Sequence, residues 1–332
     1  MKAVKVITFG EILLRLSPQL SEHTAAIYVG GAEANVAAAL AQWGTPVSYL
    51  SKVPENGLSR DVLAQLTALG IETDRMLWGG DRIGIYYLAQ GSDLKHAEVV
   101  YDRKYSSFSA IEPGSVNWDG LLGDAEWFHW SAITPALNPT AAAICLEVLK
   151  AATRKGLTIS TDLNFRSKLW QYHKKPYEVM PDLVEYCDVI MGNIWAAHTM
   201  LDTSLNHAAL ELDKREIYLE QATHVAQQIT ERYKRCKRVA FTFRFSNAPT
   251  HAHYYAFYYN EGKVSVSKTY DTDQVVDRVG SGDCFMAGLI HGQLAGKDDQ
   301  GIISFAAAAA YSKFFVKGDF NTTSVDDIYK LM

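Results

Sequence analysis

The sequence predicts an α/β protein with a doubly wound, mainly parallel sheet, helices on both sheet faces and a small β lid. Through most of the 332 residues, short runs rich in β-branched and aromatic residues alternate with longer runs of helical period. This alternation is typical of a parallel sheet covered on both faces. One pair of strand-like runs, residues 83–90 and 97–105, is interrupted by polar residues. We interpret this pair as an antiparallel hairpin with one solvated face, which forms the lid.

The amino-terminal elements are two strands and two helices in alternation. Residues 4–9 and 47–53 are short apolar runs that predict buried strands. Residues 32–43 are rich in alanine, residues 58–69 have helical period, and each of these runs stops at a glycine. Glycine is favoured just beyond a helix C-terminus because it adopts positive φ without strain. Both runs therefore predict helices.

The middle of the chain continues the alternation with a well-marked helix. Asn138 and Pro139 form an N-cap and first-turn pair, and the helical run after them ends at Gly156. Apolar runs before and after this helix predict three strands, at residues 126–134, 157–165 and 188–193. A shorter helix is predicted between the last two strands, at residues 181–186.

The carboxyl-terminal part adds a long helix, a strand, a hairpin and two further helices. The apolar face of the long helix consists of Tyr218, Ala222, Val225, Ile229 and Tyr233. Residues 239–243 predict a strand, and residues 253–270 predict a hairpin that turns at the Glu-Gly pair of positions 261–262. The last two helices are residues 283–294 and 300–315.

The composition limits the classes of function. With 48% hydrophobic and 21% charged residues, the chain has the composition of a soluble globular protein. A net charge of −5 at pH 7 gives no basic surplus, so we expect neither a nucleic-acid partner nor an anionic membrane partner. The four cysteines are scattered and form no Cys-x-x-Cys pair. This spacing predicts reduced, buried thiols rather than a metal site or a disulfide framework.

The apolar segments do not predict membrane targeting. The first ten residues enter a strand pattern directly, and their apolar run is too short for a signal peptide. The most apolar later stretch, residues 301–315, is broken by Ser304, Ser312 and Lys313, which favours a buried helix over a membrane span. We therefore expect a cytoplasmic protein.

The stretch DRVGSGDCFMAG, residues 277–288, places two glycines and a serine directly before a carboxylate and a helical run. In a parallel sheet, ligands bind beyond the carboxyl ends of the strands, where helices begin. Gly280 and Gly282 let the backbone approach a ligand, and the amides at the start of the helix form an anion site. Asp283 is then poorly suited to binding a phosphate, but well suited to taking a proton from a hydroxyl that attacks one.

A simpler interpretation of this stretch remains open. Asp283 also suits the first turn of a helix, where a carboxylate stabilises the helix dipole, and the glycines alone would make a turn. The stretch is not a dinucleotide-binding fingerprint, because Phe285 occupies the position of the third glycine. It is not a Walker A loop either, because no Gly-Lys-Ser or Gly-Lys-Thr follows. This disfavours a dehydrogenase.

Two segments at opposite ends of the chain resemble the signatures of the ribokinase-like (PfkB) carbohydrate kinases. DRVGSGDCFMAGLI, from residue 277, resembles the carboxyl-terminal signature, and GGAEANVAAALAQWG, from residue 30, resembles the amino-terminal one. Within that family, further segments are most similar to 2-keto-3-deoxygluconate kinases. They are GEILLRLSP from residue 10, VVYDRKYSS from residue 99, DLNFRSKLW from residue 162 and GDFN from residue 318.

The resemblance covers essentially the whole chain. It implies a single ribokinase-like α/β domain over residues 1–332, with a small β lid built from residues 12–30 and 80–108. It also implies ATP-dependent phosphorylation of the terminal hydroxyl of 2-keto-3-deoxygluconate, with Mg²⁺ as cofactor and a small-molecule sugar acid and ATP as the ligands. Lids of this kind resemble those that pair between subunits, so a homodimer or higher homo-oligomer is expected.

The resemblance implies functional residues position by position. Asp283 matches the catalytic base, and Gly280, Ser281 and Gly282 match the anion hole. The matches for sugar-acid binding are Gly31, Glu33, Asn35, Tyr87, Tyr101, Arg103, Arg166 and Asp319. The matches for ATP binding are Asn164, Asn193, Thr242, Arg244 and Ser246.

The chemistry of these side chains agrees with part of the assignment. A planar guanidinium binds a carboxylate through two parallel hydrogen bonds, so Arg103 and Arg166 suit a sugar acid. Tyr87 and Tyr101 offer an apolar face to the carbon chain and a phenol to a hydroxyl. Each residue also has a structural interpretation, as a solvated surface charge for the arginines and as lid packing for the tyrosines.

The chain departs from the family pattern at several places, two of which concern bound cations. Many relatives have an Asn-x-x-Glu after a mid-chain strand, and its glutamate helps to organise Mg²⁺. Here the motif reads Asn-Ile-Trp-Ala, so Ala196 replaces the glutamate and the metal-binding residues are unknown. Mg²⁺ often keeps several waters and relies on substrate phosphates, so activity does not require that glutamate. Arg278 and Val279 replace two threonines of the carboxyl-terminal signature, which leaves a monovalent cation site near Asp277 as an open alternative.

Other functions remain open at the level of sequence. One is a ribokinase-like kinase for a neutral sugar such as fructose or ribose, in which the arginines would bind no carboxylate. Another is a non-catalytic sugar-acid binding protein, which the alanine at position 196 favours. The sequence also does not distinguish 2-keto-3-deoxygluconate from its galactonate epimer, because that choice depends on the direction of one hydroxyl group.

Overall fold

A computed structural model describes residues 4–88 and 99–332 of the chain. The strands in these ranges are β1 Val6–Phe9, β2 Leu13–Gln19, β3 Thr24–Gly30, β4 Val47–Leu50, β5 Lys52–Val53, β6 Leu77–Trp78, β7 Gly84–Tyr87, β8 Val100–Asp102, β9 Trp127–Ser131, β10 Thr158–Asp162, β11 Val189–Gly192, β12 Arg238–Phe245, β13 Ala252–Asn260, β14 Lys263–Val266 and β15 Tyr270–Thr272. The α-helices are α1 Ala32–Gln42, α2 Gly57–Ala68, α3 Trp118–Leu122, α4 Pro139–Arg154, α5 Met180–Val184, α6 Ile194–Leu201, α7 His207–Leu210, α8 Arg215–Arg232, α9 Ser281–Leu294, α10 Asp299–Lys313 and α11 Val325–Leu331.

The central sheet has nine strands and is parallel over most of its width. Its order is β14-β13-β12-β11-β10-β9-β1-β4, with β15 paired to β13. The strands from β4 to β12 in this order pair in parallel, whereas β13 runs antiparallel to β12 and to both of its other neighbours. The predicted doubly wound, mainly parallel α/β architecture is therefore confirmed.

Apolar side chains of the central strands enter two cores, one on each face of the sheet. In β9, Trp127 packs into the core that contains residues of α1, α9 and α10. Phe128 and Trp130 pack into the core that contains residues of α4, α6 and α8. Because a strand alternates its side chains between faces, a strand that is apolar at successive positions must be covered on both sides. This arrangement explains why central strands such as β1 and β11 are mainly apolar at successive positions in the sequence.

A second sheet has, within the described part of the chain, four strands in the order β3-β2-β7-β8. β2 pairs antiparallel with β3 and parallel with β7, and β7 pairs antiparallel with β8. These strands fall within residues 12–30 and 80–108, the ranges that the sequence assigns to the lid. Tyr86 lies opposite Tyr101, so the hairpin predicted here is antiparallel where it is described. The parts of the predicted runs at 89–90 and 97–98 lie outside the described residues.

The strand predicted over residues 47–53 is in fact two strands in different sheets. β4 belongs to the central sheet, and β5 leaves it to pair in parallel with β6. The change occurs at Ser51, whose carbonyl accepts a hydrogen bond from the amide of Leu77 at 2.9 Å. After Ser51 the chain pairs with β6 and no longer with β1. The sequence does not show this change of partner, because β4 and β5 form one run of mainly apolar residues.

Local capping and turn signals coincide with the ends of several elements. The side chain of Asn138 accepts a hydrogen bond from the amide of Ala141 at 2.7 Å, and Pro139 lies in the first turn of α4. Glu261 and Gly262 have φ angles of 46° and 90°, which a two-residue hairpin turn between β13 and β14 requires. These predicted boundaries are confirmed.

The cysteines and the apolar helices also agree with the sequence analysis. Cys145, Cys187, Cys236 and Cys284 are buried and free, and burial raises the pKa of the Cys236 thiol to about 12. The apolar stretch of residues 301–315 forms most of α10, which is buried among other helices and strands. Within residues 4–88 and 99–332, no helix combines the length and the apolar character that crossing a bilayer would need.

Candidate active site

A cavity lies at the carboxyl ends of the central parallel strands and is also lined by residues of the four-stranded sheet. Asp162 and Gly192 are the last residues of β10 and β11 and line one side of it. Gly31 and Gly280, which precede α1 and α9, line another side, and Tyr86 of β7 faces the cavity from the second sheet. Open parallel sheets bind their ligands at this edge, where helices begin.

Most of the residues that the sequence assigns to a site line this single cavity. They are Gly31, Asn35, Tyr101, Arg103, Asn164, Arg166, Asn193, Thr242, Arg244, Gly280, Ser281, Gly282, Asp283 and Asp319. Glu33, Tyr87 and Ser246 are absent from the lining. The cavity therefore brings together the amino-terminal, middle and carboxyl-terminal candidates, although they are far apart in the sequence.

The anion loop, which we define as residues 280–282, forms the turn from which α9 begins. Gly280 has a φ of 82°, a left-handed conformation that glycine adopts without strain. A Cβ atom there would also overlap the carbonyl oxygen of Asp319, so the backbone path depends on glycine. The first-turn amides of α9 have no acceptor within the helix and lie at its positive end. The loop can therefore bind an anion through backbone N–H groups.

Asp283 lies in the first turn of α9, directly behind the anion loop, and is buried. The side-chain amide of Asn35, in α1, donates a hydrogen bond to Asp283 Oδ2 at 2.7 Å. The pKa of Asp283 is raised to about 8, mainly by burial and also by the carboxyl groups of Asp162 and Glu33. The hydrogen bond from Asn35 offsets part of this rise. A carboxyl group with this pKa exchanges protons near neutral pH, as a general base does.

The Asn35–Asp283 hydrogen bond connects residues that are 248 positions apart. One residue comes from each of the two signature-like segments, so these segments meet at the cavity through α1 and α9. The small residues of α1 allow this close approach, because Ala34, Ala37 and Ala38 are buried in the same core as α9. The interpretation that the glycines and Asp283 serve only a turn and a helix start leaves this contact unexplained.

Asp162 is a second buried carboxyl group in the cavity, and the sequence analysis does not assign it a role. It is the last residue of β10, and its Oδ1 accepts a hydrogen bond from the amide of Asn164 at 2.9 Å. Burial raises the pKa of Asp162 to about 6, although this hydrogen bond and the charge of Arg166 lower it in part. An acidic residue that ends a central parallel strand is the signal that could have identified it.

The two candidate arginines differ in what they contact. The Arg103 side chain is buried, and its Nε donates a hydrogen bond to Glu11 Oε2 at 2.6 Å. Arg166 is half-buried, lines the cavity and lowers the pKa values of Asp162 and Asp283 through its charge. Within the described ranges its guanidinium has no ion pair or hydrogen bond with the protein. Arg166 is thus available to a ligand carboxylate, whereas Arg103 already has a carboxylate partner.

The wall formed by the four-stranded sheet contains Tyr86 instead of the expected Tyr87. The Tyr86 hydroxyl donates a hydrogen bond to Asp319 Oδ2 at 2.8 Å, and its ring centroid lies 6.4 Å from that of Tyr101. Asp319 also forms an ion pair with Arg15, whose Nε lies 2.9 Å from Oδ1. Successive side chains of a strand point to opposite faces, so Tyr87 points away from the cavity if Tyr86 points into it.

Glu33 and Ser246 lie outside the cavity lining for different reasons. Glu33 turns toward the end of β9, where its Oε1 accepts hydrogen bonds from the hydroxyl and, at 3.1 Å, the amide of Ser131. Burial raises the pKa of Glu33 to about 7. The single Ser246 hydroxyl hydrogen is shared between the carbonyls of Ala248 and His251, within the loop that follows β12. Glu33 and Ser246 therefore bind neighbouring backbone groups. Short sequence motifs do not indicate such a structural role.

The remaining wall combines polar side chains around the anion loop. Asn193 accepts a hydrogen bond from the amide of Ala196 at 2.8 Å and so caps α6. Thr242 lies near the carbonyl of Gly192, and Arg244 Nη1 lies 3.4 Å from Ser281 Oγ. These contacts join the ends of β11 and β12 to the anion loop and leave polar atoms facing the cavity.

Arg278 is buried and contacts the loop after β12. Its Nη2 lies within hydrogen-bond distance of four acceptors, Ser246 Oγ at 2.8 Å and the carbonyls of Ala248, Pro249 and His251 at 2.6–3.0 Å, which share its two N–H groups. The guanidinium thereby connects residues 246–251 to the segment that leads into the anion loop. An arginine at this position could reach a phosphate or point to solvent. The burial of Arg278 excludes the second role.

Comparison with known proteins agrees with this geometry. Residues 4–321 match the family described as pfkB family carbohydrate kinase. A 2-dehydro-3-deoxygalactonokinase from Haloferax volcanii is 30% identical over 335 residues, which cover 99% of this chain and 96% of the relative. A 2-dehydro-3-deoxygluconokinase from Bacillus subtilis is 26% identical over 283 residues, which cover 81% of this chain and 75% of the relative. The crystal structure of a 2-dehydro-3-deoxygluconokinase from Thermotoga maritima has a TM-score of 0.89 and 38% identity, with 99% of both chains covered.

Proposed function

The chain belongs to the pfkB family of carbohydrate kinases and is a sugar kinase, and we propose that it phosphorylates the terminal hydroxyl of 2-keto-3-deoxygluconate with ATP. The observation that carries this proposal is the placement of Asp283, buried behind the anion loop and held by Asn35. A base beside an anion site is what phosphoryl transfer to a hydroxyl requires, because positioning and charge stabilisation supply most of the catalysis. The names of the relatives support an acidic sugar as the acceptor, and so does Arg166, which has no ion-pair or hydrogen-bond partner among residues 4–88 and 99–332.

In the proposed reaction, Asp283 removes the proton of the terminal hydroxyl while that oxygen attacks the γ-phosphorus. The O–H bond breaks, its proton moves to the Asp283 carboxylate, and a new O–P bond forms. The bond from the γ-phosphorus to the bridging oxygen breaks, and its electron pair leaves with ADP. Amides of the anion loop donate hydrogen bonds to the phosphoryl oxygens in the transition state, where fixed donors are most effective.

The sugar acid is proposed to lie between Arg166 and the four-stranded sheet. Arg166 binds the carboxylate through paired hydrogen bonds, which a guanidinium makes in a fixed planar geometry. Tyr101 packs against the carbon chain. Arg103 acts through Glu11, since their 2.6 Å contact braces the wall of the cavity instead of binding the ligand directly.

The residues around the anion loop fit ATP, but they supply few ligands for Mg²⁺. When bound, Mg²⁺ would neutralise negative charge on the phosphates. Among residues 4–88 and 99–332, no group of three or more His, Cys, Asp or Glu side chains could hold a metal ion. Ala196 is buried in an apolar core, so this position offers no ligand. Asp162, Asn164 and Asn193 line the cavity, and oxygen-bearing side chains of this kind suit an ion held mainly by phosphates and water.

Replacing Gly280 by alanine should distort the anion loop and lower kcat by about 100-fold, the scale of a displacement of roughly 1 Å at a reacting group. The new Cβ would overlap the Asp319 carbonyl at a φ of 82° that alanine rarely adopts. Gly57→Ala is the matched control, because its Cβ would meet no atom within 4 Å. Steady-state kinetics of both variants test this expectation. Equal kcat values for Gly280→Ala and the wild type would show that the loop geometry does not matter.

The pH dependence should report the ionisation of Asp283. Only the ionised carboxylate can accept a proton, and its pKa is raised to about 8. We therefore expect kcat/KM for the sugar acid to rise with pH through neutrality and to level off above about 8, since kcat/KM reflects the free enzyme. The residual rate of an Asp283→Asn variant should lack this rise. A wild-type profile that is flat across neutral pH would contradict the assignment.

The position of the phosphate in the product tests the proposed function directly. Wild-type protein is incubated with Mg·ATP and 2-keto-3-deoxygluconate, and the product is examined by phosphorus-31 NMR. We expect a phosphate monoester whose signal is coupled to the two protons of the terminal carbon. Coupling to a single proton, which indicates a secondary hydroxyl, would contradict the proposal, as would ADP formation without a sugar phosphate.

The galactonate epimer is a second candidate substrate. It is favoured by the relative from Haloferax volcanii, which is named a 2-dehydro-3-deoxygalactonokinase. The epimers share the carboxylate, the keto group and the terminal hydroxyl, so the proposed contacts of Arg166 and Asp283 apply to both. Equal kcat/KM for the two acids would indicate that the differing hydroxyl makes no specific contact.

Three further expectations from the sequence become part of this proposal. We propose that the whole chain is one domain, in which the four-stranded sheet covers the sugar as a lid. We also propose that the protein is a homodimer or higher homo-oligomer that pairs through this sheet. Its place of action is proposed to be the cytoplasm, where ATP is available.

A further inference from the structure

Lys313 is a fully buried lysine that the proposed reaction does not use. It is the last residue of α10, and its exposed fraction is 0%. Its ammonium donates hydrogen bonds to the carbonyl oxygens of Val316 at 2.8 Å and Gly318 at 2.7 Å. Burying a charged group is unfavourable unless it is hydrogen-bonded and close to opposite charge. The position of this ammonium therefore needs a physical explanation.

The ammonium supports the segment on which the anion loop rests. The Cε atom of Lys313 lies 3.3 Å from the position that a Cβ atom at Gly280 would occupy. That same Cβ would overlap the carbonyl of Asp319, which directly follows the Gly318 carbonyl bound by Lys313. Residues 316–319, which we call the support segment, thus lie against the anion loop and are held in place by Lys313.

Asp277 connects the support segment to the anion loop from the other side. Its Oδ2 accepts a hydrogen bond from the Gly318 amide at 3.1 Å, and its Oδ1 accepts one from the Val279 amide at 3.0 Å. Arg15 pairs with the same carboxylate at 2.9 Å. The Asp277 carboxylate also acts on the Lys313 ammonium through its charge, although only the two carbonyl oxygens are hydrogen-bonded to that ammonium. Backbone carbonyl oxygens around one positive charge are ligands that a hard metal cation also prefers.

We propose that Lys313 is a tethered cation that positions the anion loop and makes phosphoryl transfer independent of added K⁺ or Na⁺. The inference rests on the proposed function, in which the anion loop binds the transferred phosphoryl group. An ammonium has the charge of a monovalent cation and offers three hydrogen-bond donors. It therefore takes the place of the monovalent cation that the sequence leaves as an alternative near Asp277.

The wild-type protein tests the inference without any substitution. kcat is measured with KCl and with tetramethylammonium chloride at equal ionic strength, because tetramethylammonium has no N–H donor and is too large for the site. Equal kcat values are expected. A marked increase with K⁺ would overturn the proposal, since it would show that a dissociable cation is still needed.

Two variants with different shapes sharpen the test. Lys313→Ala leaves space beside the two carbonyls, and we expect kcat to fall about 100-fold in tetramethylammonium, with little change in KM for the sugar acid. K⁺, NH₄⁺ or ethylammonium should then restore much of the rate. Lys313→Met fills the space with an apolar chain, so its rate should be low and no cation should restore it. Lys330→Ala, at an exposed lysine paired with Asp327, is the control.

Thermal unfolding without substrate separates this inference from the proposed function. The melting temperature of Lys313→Ala should rise with K⁺ but not with tetramethylammonium, whereas that of the wild type should be the same in both salts. If the wild type turns over no sugar acid, the proposed function fails and the melting temperatures still decide the role of Lys313. The inference would be overturned if Lys313→Met had the kcat of the wild type. It would also be overturned if no cation changed the stability of Lys313→Ala.

Discussion

Replacing Asp283 by asparagine is expected to lower kcat by about 10²- to 10⁴-fold, the range that a positioned general base contributes. The amide has nearly the shape of the carboxyl group, and its oxygen can still accept the hydrogen bond from Asn35, which is 2.7 Å long in the wild type. It cannot, however, accept the proton of the attacking hydroxyl. Binding of ATP should therefore be retained, because the anion loop is unchanged.

Stopped-flow or coupled kinetics measure the loss, and calorimetry with ATP checks that binding persists. Asp119→Asn is the matched control, because that carboxylate is exposed and pairs with Arg154 on the surface. A kcat close to the wild-type value in Asp283→Asn would show that Asp283 is not the general base. Loss of ATP binding together with kcat would instead assign Asp283 to the anion site.

The same variant should be more stable than the wild type at alkaline pH. The pKa of Asp283 is raised from 3.8 to about 8 by burial, so the folded state binds this proton more tightly than the unfolded state. Stability from this group is present below the unfolded pKa and is lost as pH rises through the folded pKa. The stability advantage of Asp283→Asn should therefore grow between these two values and then remain constant. Thermal melts across this pH range measure it.

Replacing Arg166 by methionine is expected to lower kcat/KM for the sugar acid by about 30- to 1,000-fold, equivalent to roughly 2–4 kcal/mol for a desolvated charged hydrogen bond. Arg166 lines the cavity and has no ion-pair partner among the described residues, so the lost contact is the one with the substrate carboxylate. The kcat/KM for a neutral sugar such as fructose should change little. An equal loss for acidic and neutral sugars would show that Arg166 is structural.

Arg103→Met provides the contrast to Arg166→Met. Arg103 is paired with Glu11 at 2.6 Å, and both side chains are buried. Removing it leaves a buried carboxylate without its partner, which is costly for the folded state. We therefore expect Arg103→Met to lower the melting temperature and to reduce turnover of every acceptor alike. This difference between the two arginines separates a ligand contact from a structural ion pair.

Most of the fold follows from local signals in the sequence. A strand of the central sheet can be apolar at successive positions because it is covered on both faces, as Trp127 and Phe128 of β9 show. Asn138 begins α4 through its own side chain, and the residues at positions 261–262 make their own turn. Such elements are predictable because each signal acts within a few residues of its effect.

Side-chain direction in the four-stranded sheet is not predictable in this way. Tyr86 and Tyr87 are adjacent tyrosines in one strand, and alternation directs only one of them into the cavity. Which one it is depends on the pairing of β7 with β2, where Tyr86 lies opposite Arg15. A shift of one residue in this register would exchange the two, and a sequence motif does not determine the register.

Long-range polar contacts are likewise not visible in short motifs. Arg103 pairs with Glu11 across 92 positions, and Glu33 bonds Ser131 across 98 positions. Arg103 and Glu33 are polar side chains near a binding motif, so their chemistry alone suggests contact with a ligand. Their partners come within reach only through the tertiary fold, since Glu11 follows β1 and Ser131 ends β9, the strand that pairs with β1.

The most direct test of the central claim is ADP release by the wild-type protein with Mg·ATP and one of four acceptors. The acceptors are 2-keto-3-deoxygluconate, 2-keto-3-deoxygalactonate, fructose and ribose, each assayed beside Asp283→Asn. We expect turnover of the keto-deoxy acids that the variant loses, and kcat/KM about 100-fold lower for the neutral sugars, which have no carboxylate for Arg166. Turnover of fructose or ribose with equal or higher kcat/KM would show that the enzyme is not a sugar-acid kinase.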